Sequence, residues 1–173
     1  MALVVLLRGI NVGGHRTFRP TTLAERLKHL DAVNIGAAGT FVIRRPVTKT
    51  KLRAEMARWL PFDAEIMICQ GREIVELMAQ SPFAEQPVRP DIVHFVSVMS
   101  KRPRSAPSTP MSFPPTGEWL LRILTVDKRF VCGVYRRQMK VIGYLGALDR
   151  ILGVPVTTRN WKTITAVAKA LAD

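Results

Sequence analysis

Acidic residues are scarce in this chain. Thirteen Asp and Glu stand against 26 Lys and Arg, a formal net charge of +13. So few carboxylates give poor support to a metal–carboxylate nuclease, and the surplus of cations should attract nucleic acid, phosphorylated metabolites or anionic lipid. The bland alternative is a solvated basic surface. Residues 1–90 and 91–173 each hold 13 of the basic residues, so there is no basic tail and any anion site must be a folded surface. Cysteine is nearly absent. Cys69 and Cys132 both fall inside apolar strand-like runs, which excludes a disulfide-built scaffold. They read as two buried thiols in a reducing compartment, with a single disulfide left open. His15, His29 and His94 lie far apart with no ligand spacing, so no metal and no cofactor is expected. Aromatics make up 7% of the chain, and Phe41 stands alone in "GTFVIR" where base-stacking strands carry two or three rings. No G-x-S-x-G elbow and no cysteine with a neighbouring histidine occurs, so nucleophilic hydrolysis has no positive sign. No run reaches the ~20 apolar residues of a membrane span. Ala2–Leu7 is too short for a signal h-region and lacks a cleavage site, so a cytoplasmic protein without membrane contact is expected.

What is present is a clear alternation of strand and helix patterns. "ALVVLLR" is a continuous apolar run bounded by glycine, a buried strand. "TLAERLKHL" aligns Leu23, Leu27 and Leu30 on one helical face, with Thr22 and Glu25 at capping-box spacing. "AVNIG" and "GTFVIRR" read as two short strands. "KTKLRAEMARWL" carries Leu52, Met56 and Leu60 on a second helix stopped by Pro61, and "AEIMICQ" is a fourth strand. This is the β-α-β-β-α-β order of a ferredoxin-like unit, whose sheet covers one face with two helices and leaves the other for a partner. A helix, "REIVELMAQ", follows.

The expected organisation is an N-terminal half at 1–80, a connector at 81–90 ("SPFAEQPVRP") and a similar half at 91–173. In the second half "DIVHFVSVMS" is a strand. "KRPRSAPSTPMSFPPTG" has five prolines, too many for a helix, and reads as a long, exposed, basic loop. "EWLLRILTVD" and "RFVCGVYRR" form a hairpin around Asp127-Lys128. "YLGALDRIL" is a helix ended by Gly153, "VPVTT" a short strand, and "RNWKTITAVAKALA" the closing helix. The fold class is α+β: two ferredoxin-like (βαββαβ-type) halves packed together, without an obvious sequence repeat.

Two polar motifs interrupt this ordinary pattern. Gly9 to Gly14 has Walker A glycine spacing, but His15 and Arg16 stand where lysine and a hydroxyl belong, and the helix starts only near Thr22. A dinucleotide fingerprint is absent too. Backbone donors of Gly9, Gly13 and Gly14, with Arg8, Asn11 and Arg16, could still hold a phosphate or carboxylate. The competing reading is a strand exit that needs glycine for its dihedrals. In "VTTRNW", Thr157 or Thr158 would cap the last helix and put Arg159 and Asn160 in its first turn. The helix dipole does not favour arginine there, which suggests pairing with an anion. Trp161 shares a stripe with Ile164, Ala168 and Leu171 and reads as core.

"LLRGINVGG" and "LGVPVTTRNWKTITAVAKAL" together resemble the DUF1697 family of uncharacterised bacterial proteins. The likeness falls on Arg8, Gly9, Asn11, Gly13 and Gly14, and on Thr157, Thr158, Arg159, Asn160 and Trp161. It implies a pair of ferredoxin-like halves and brings no catalytic residue. The chain departs from the pattern at His15, where lysine is usual, and at "AAGTFVI", where the family tends to show "SGNVVF". It also lacks an evident "SKL"-type segment near "RRQMKVIGYL". The expected function is binding of a small anion or nucleotide, without demonstrated catalysis, by Arg8, Gly9, Asn11, Gly13, Gly14 and Arg16 together with Thr158, Arg159 and Asn160. Non-specific nucleic-acid binding by the basic surface, or a purely structural role for both motifs, is the alternative. Oligomeric state is not legible.

Overall fold

A computed structural model describes residues 1–10 and 18–173. It has mixed α and β structure with two antiparallel sheets, of four and five strands. The chain divides into two compact units, one of residues 1–80 with 162–173 and one of residues 81–161.

In the first unit the elements run β1 (Leu3–Arg8), α1 (Pro20–Arg26), β2 (Ala32–Ile35), β3 (Thr40–Ile43), α2 (Lys49–Trp59), β4 (Glu65–Gln70) and α3 (Gly71–Ala79), in a sheet ordered β2-β3-β1-β4. On one face Leu3, Val5 and Leu7 of β1 join Leu23 and Leu27 from α1 and Leu52 and Met56 from α2 in one core cluster. Alternation sends Val4 and Leu6 to the other face, beside Val42 and Met67. That face is not open for a partner, because all four side chains are buried. An apolar strand with no polar side has both faces to withdraw from water.

Local chemistry moves some boundaries. The first helix begins at Pro20 rather than Thr22, with Arg19 at the cap and no side-chain cap bond. Proline's fixed φ suits the first helical position, where its missing donor costs nothing. The helix ends at Arg26, and Lys28–Leu30 form a 3-10 turn that still brings Leu30 into the core. A capping bond stands instead at the start of α3, where Gln70 N donates to Glu73 Oε2 at 2.6 Å.

The second unit runs β5 (Ile92–Met99), β6 (Met111–Phe113), β7 (Leu121–Asp127), β8 (Phe130–Arg136), α4 (Val141–Gly146), α5 (Leu148–Leu152) and β9 (Val156–Asn160), with sheet order β6-β7-β8-β5-β9. With β6 set aside, its strand order β7-β8-β5-β9 repeats that of the first sheet, and the proline-rich segment stands where the first crossover helix would be. The segment is irregular except for the three residues of β6. The hairpin turns at Lys128, whose φ is +54°. One expected helix is two: Ala147 separates α4 from α5, and Gly153 closes α5 in the left-handed region. Phe95, Met99, Leu121 and Ile123 form a core with Val141, Leu148 and Leu152.

The last helix, α6 (Trp161–Ala172), buries Ile164, Val167 and Ala170, one step round from the expected stripe. Trp161 is half-buried, with its ring centroid 4.9 Å from that of Phe83. In the first unit α6 is tied down by Arg44 Nε, which donates to Ala170 O at 3.1 Å. Gly71 adds to this, lying so close to Leu171 that a Cβ there would sit 2.8 Å from its Cδ2.

Candidate functional site

The first motif leaves the sheet at the end of β1. Arg8 is paired across the strands with Glu65 of β4, and its guanidinium meets that carboxylate at 3.4 Å. Gly9 follows with φ +70°, the left-handed conformation that favours glycine, and Ile10 turns back into the core. Leu7 N donates to Gly39 O at 2.8 Å, closing the β2–β3 turn against the strand exit. Asn11, Gly13, Gly14, His15 and Arg16 lie outside the described residues.

The second motif is a strand. β9 pairs with β5 through Phe95–Asn160, so Arg159 and Asn160 end a strand instead of opening a helix. The ladder holds their backbone extended, and α6 starts only at Trp161. Thr158 Oγ1 lies 2.6 Å from Ser97 Oγ, across the strand pair. Arg159 is 6% exposed, on the sheet face shared with Val96. Its Nη1 donates to Thr157 Oγ1 at 2.7 Å and to Thr158 O at 3.0 Å. Burial pushes its pKa down to about 10. Asn160 is exposed. The two motifs therefore present an ion-paired Arg8, a positive-φ glycine and a buried arginine that bonds to two threonines of its own strand.

A different cationic site lies within the second unit. A pocket of about 390 Å³ is lined by Lys101, Arg102, Arg104 and Ser105 and, across it, by Leu152, Gly153 and Val154. The segment after β5 is pinned beside the α5–β9 turn by Ser100 N, which donates to Pro155 O at 2.9 Å. The left-handed Gly153 ends α5 and turns the chain. Asp149, the acid of that turn, is engaged, accepting from Val156 N at 3.1 Å. None of the three cations has an acidic partner among the described residues. The basic loop is legible in "KRPR"; its facing wall comes from fifty residues downstream, and no local pattern could supply it. Cys69 and Cys132 are both buried and in no disulfide, and burial chiefly raises the Cys132 pKa to about 11. Among the described residues no group of three His, Cys, Asp or Glu is placed to hold a metal, and no helix is long and apolar enough to cross a membrane.

A conserved bacterial protein from Streptococcus pneumoniae has a similar structure, with a TM-score of 0.60 over 98% of both chains at 16% identity. At that identity the likeness concerns the fold alone. No curated protein matches the chain. A family model does match, over residues 1–116, which takes in the glycine motif and the proline-rich segment and stops short of Thr157–Trp161. The chain belongs to that family, DUF1697, described as proteins of unknown function.

Proposed function

We propose that this protein binds a small phosphorylated anion, of nucleotide or sugar-phosphate size, in the cationic pocket of its second unit. We also read the units as two ferredoxin-like halves, with the proline-rich segment replacing one crossover helix in the second. The shared strand order supports that reading. The observation that carries the binding proposal is the convergence of Lys101, Arg102 and Arg104 on one pocket without an acid in its lining. Guanidinium and ammonium groups hold phosphate through charge-assisted bonds, and the Ser105 hydroxyl adds a neutral donor. A volume of about 390 Å³ is at the small end of ligand sites. Purified protein would be screened by thermal shift and native mass spectrometry against nucleotides, sugar phosphates and pyrophosphate. A Lys101→Ala/Arg102→Ala/Arg104→Ala variant should keep its fold and lose the shift. An unchanged shift in that variant, or no ligand at all, sinks the proposal.

A second reading concerns the two motifs themselves: both are structural. The buried Arg159, bonded to Thr157 and to the Thr158 carbonyl, favours it over an exposed anion site shared with Arg8.

A further inference from the structure

We propose that the helical face of the first unit carries a separate binding site for single-stranded nucleic acid, centred on Trp59. Trp59 is the last residue of α2 and is 37% exposed. The Arg26 guanidinium, from the last turn of α1, lies 4.6 Å from its ring centroid, and that of Arg58 lies 5.2 Å away. Neither arginine has a carboxylate partner among the described residues. The acids of this layer are already engaged. Glu25 meets Lys28 at 3.1 Å, and Glu55 meets His29 at 2.6 Å. Two arginines without a salt bridge among the described residues therefore flank one exposed indole.

The second unit provides an internal comparison. Trp119 is also bracketed, by Arg122 at 4.6 Å and Arg136 at 4.3 Å. There both cations are in use. Arg122 donates to Ser112 Oγ, and Arg136 donates to the Trp119 carbonyl and pairs with Glu118. That cluster is explained by its own bonds, whereas the one at Trp59 leaves its charge to solvent.

Single-stranded nucleic acid fits what Trp59 offers. Its phosphates are anions spaced along a flexible backbone, and its unpaired bases stack on aromatic faces and guanidinium planes. A folded duplex hides its bases and would use only the arginines. A small phosphate would use the arginines and ignore the ring. The indole thus separates this occupant from the others.

The test is fluorescence anisotropy with a dye-labelled oligothymidylate, titrated over a range of salt concentrations. Wild-type protein should bind at low salt and weaken steeply as salt rises. Trp59→Ala should bind about 5-fold to 100-fold more weakly, in the range of a lost base stack, with the salt slope unchanged. Arg26→Ala/Arg58→Ala should instead flatten the slope by about 1.4, for two lost phosphate contacts on a single strand. Circular dichroism would confirm that each variant is folded, and Trp59→Phe should restore most of the binding lost in Trp59→Ala. The pocket variant at Lys101, Arg102 and Arg104 should bind the oligonucleotide as wild type does, so failure there and failure here are told apart. No binding at low salt, a Trp59→Ala variant equal to wild type, or an unaltered slope in the double variant each overturns the site.

Discussion

Replacing Arg159 by alanine should destabilise the protein by about 2–4 kcal/mol, while replacing it by methionine should move stability by less than about 1.5 kcal/mol. Two opposing effects nearly cancel at this side chain. Its bonds to Thr157 Oγ1 and Thr158 O are hydrogen bonds from a charged donor, worth about 3 kcal/mol together at the low end of the usual range. Against them stands the burial that drags its pKa down to about 10, a cost of about 3 kcal/mol for keeping the charge inside. What remains is packing on a sheet face shared with Val96, and alanine forfeits it. Methionine fills most of the volume and carries no charge to desolvate, which is why buried ions often yield to hydrophobic residues at little loss. The assay is urea unfolding, where alanine should lower the midpoint by about 1–2 M. Equal losses in the two variants would mean that the polar bonds, not packing, carry the residue. A fully stable alanine variant that no longer responds to nucleotide would refute burial altogether and return Arg159 to a ligand site.

Two further predictions test the sheets and the thiols. Gly133→Ala should cost about 2–4 kcal/mol by overpacking, because the new Cβ would stand 2.5 Å from Phe95 Cζ and 2.6 Å from the Arg122 carbonyl oxygen; a thermal melt within a degree of wild type would contradict the β5–β8 register. Cys132, raised from 9.0 to about 11, should react with a disulfide reagent at pH 8 at least about 100-fold more slowly in native than in unfolded protein. Because the unfolded thiol loses its proton first, this residue's contribution to stability is present below pH 9 and lost as pH rises towards about 11. Prompt native labelling at this position would show the strand to be open to solvent.

Much of the architecture is written in local pattern. The first strand, the helices with Leu52 and Met56 or Ile74 and Leu77, and the Asp127-Lys128 turn follow from apolar period and turn chemistry, which neighbouring residues decide among themselves. The motif residues were visible as residues but not as a site. "TTRNW" looks like a helix start because threonine caps helices and tryptophan opens an apolar stripe. Only the ladder between β9 and β5, joining residues sixty positions apart, makes it a strand and turns Arg159 into the sheet. Trp59 was equally hidden, since its heptad spacing from Leu52 matches a core stripe; Pro61 marks the helix end, but nothing local shows that Arg26 of α1 reaches the ring.

By itself, then, the sequence determined most of the strands and helices, the buried first strand, the basic proline-rich segment and, from two motifs at opposite ends of the chain, the family. Tertiary structure alone decided that both faces of the first sheet are covered and that residues 162–173 join the first unit. It also decided that the "KRPR" loop meets the turn at Gly153 to make a pocket. Each of these depends on which distant segments pack together, and packing is chosen by summed burial over the whole chain rather than by any short stretch of it.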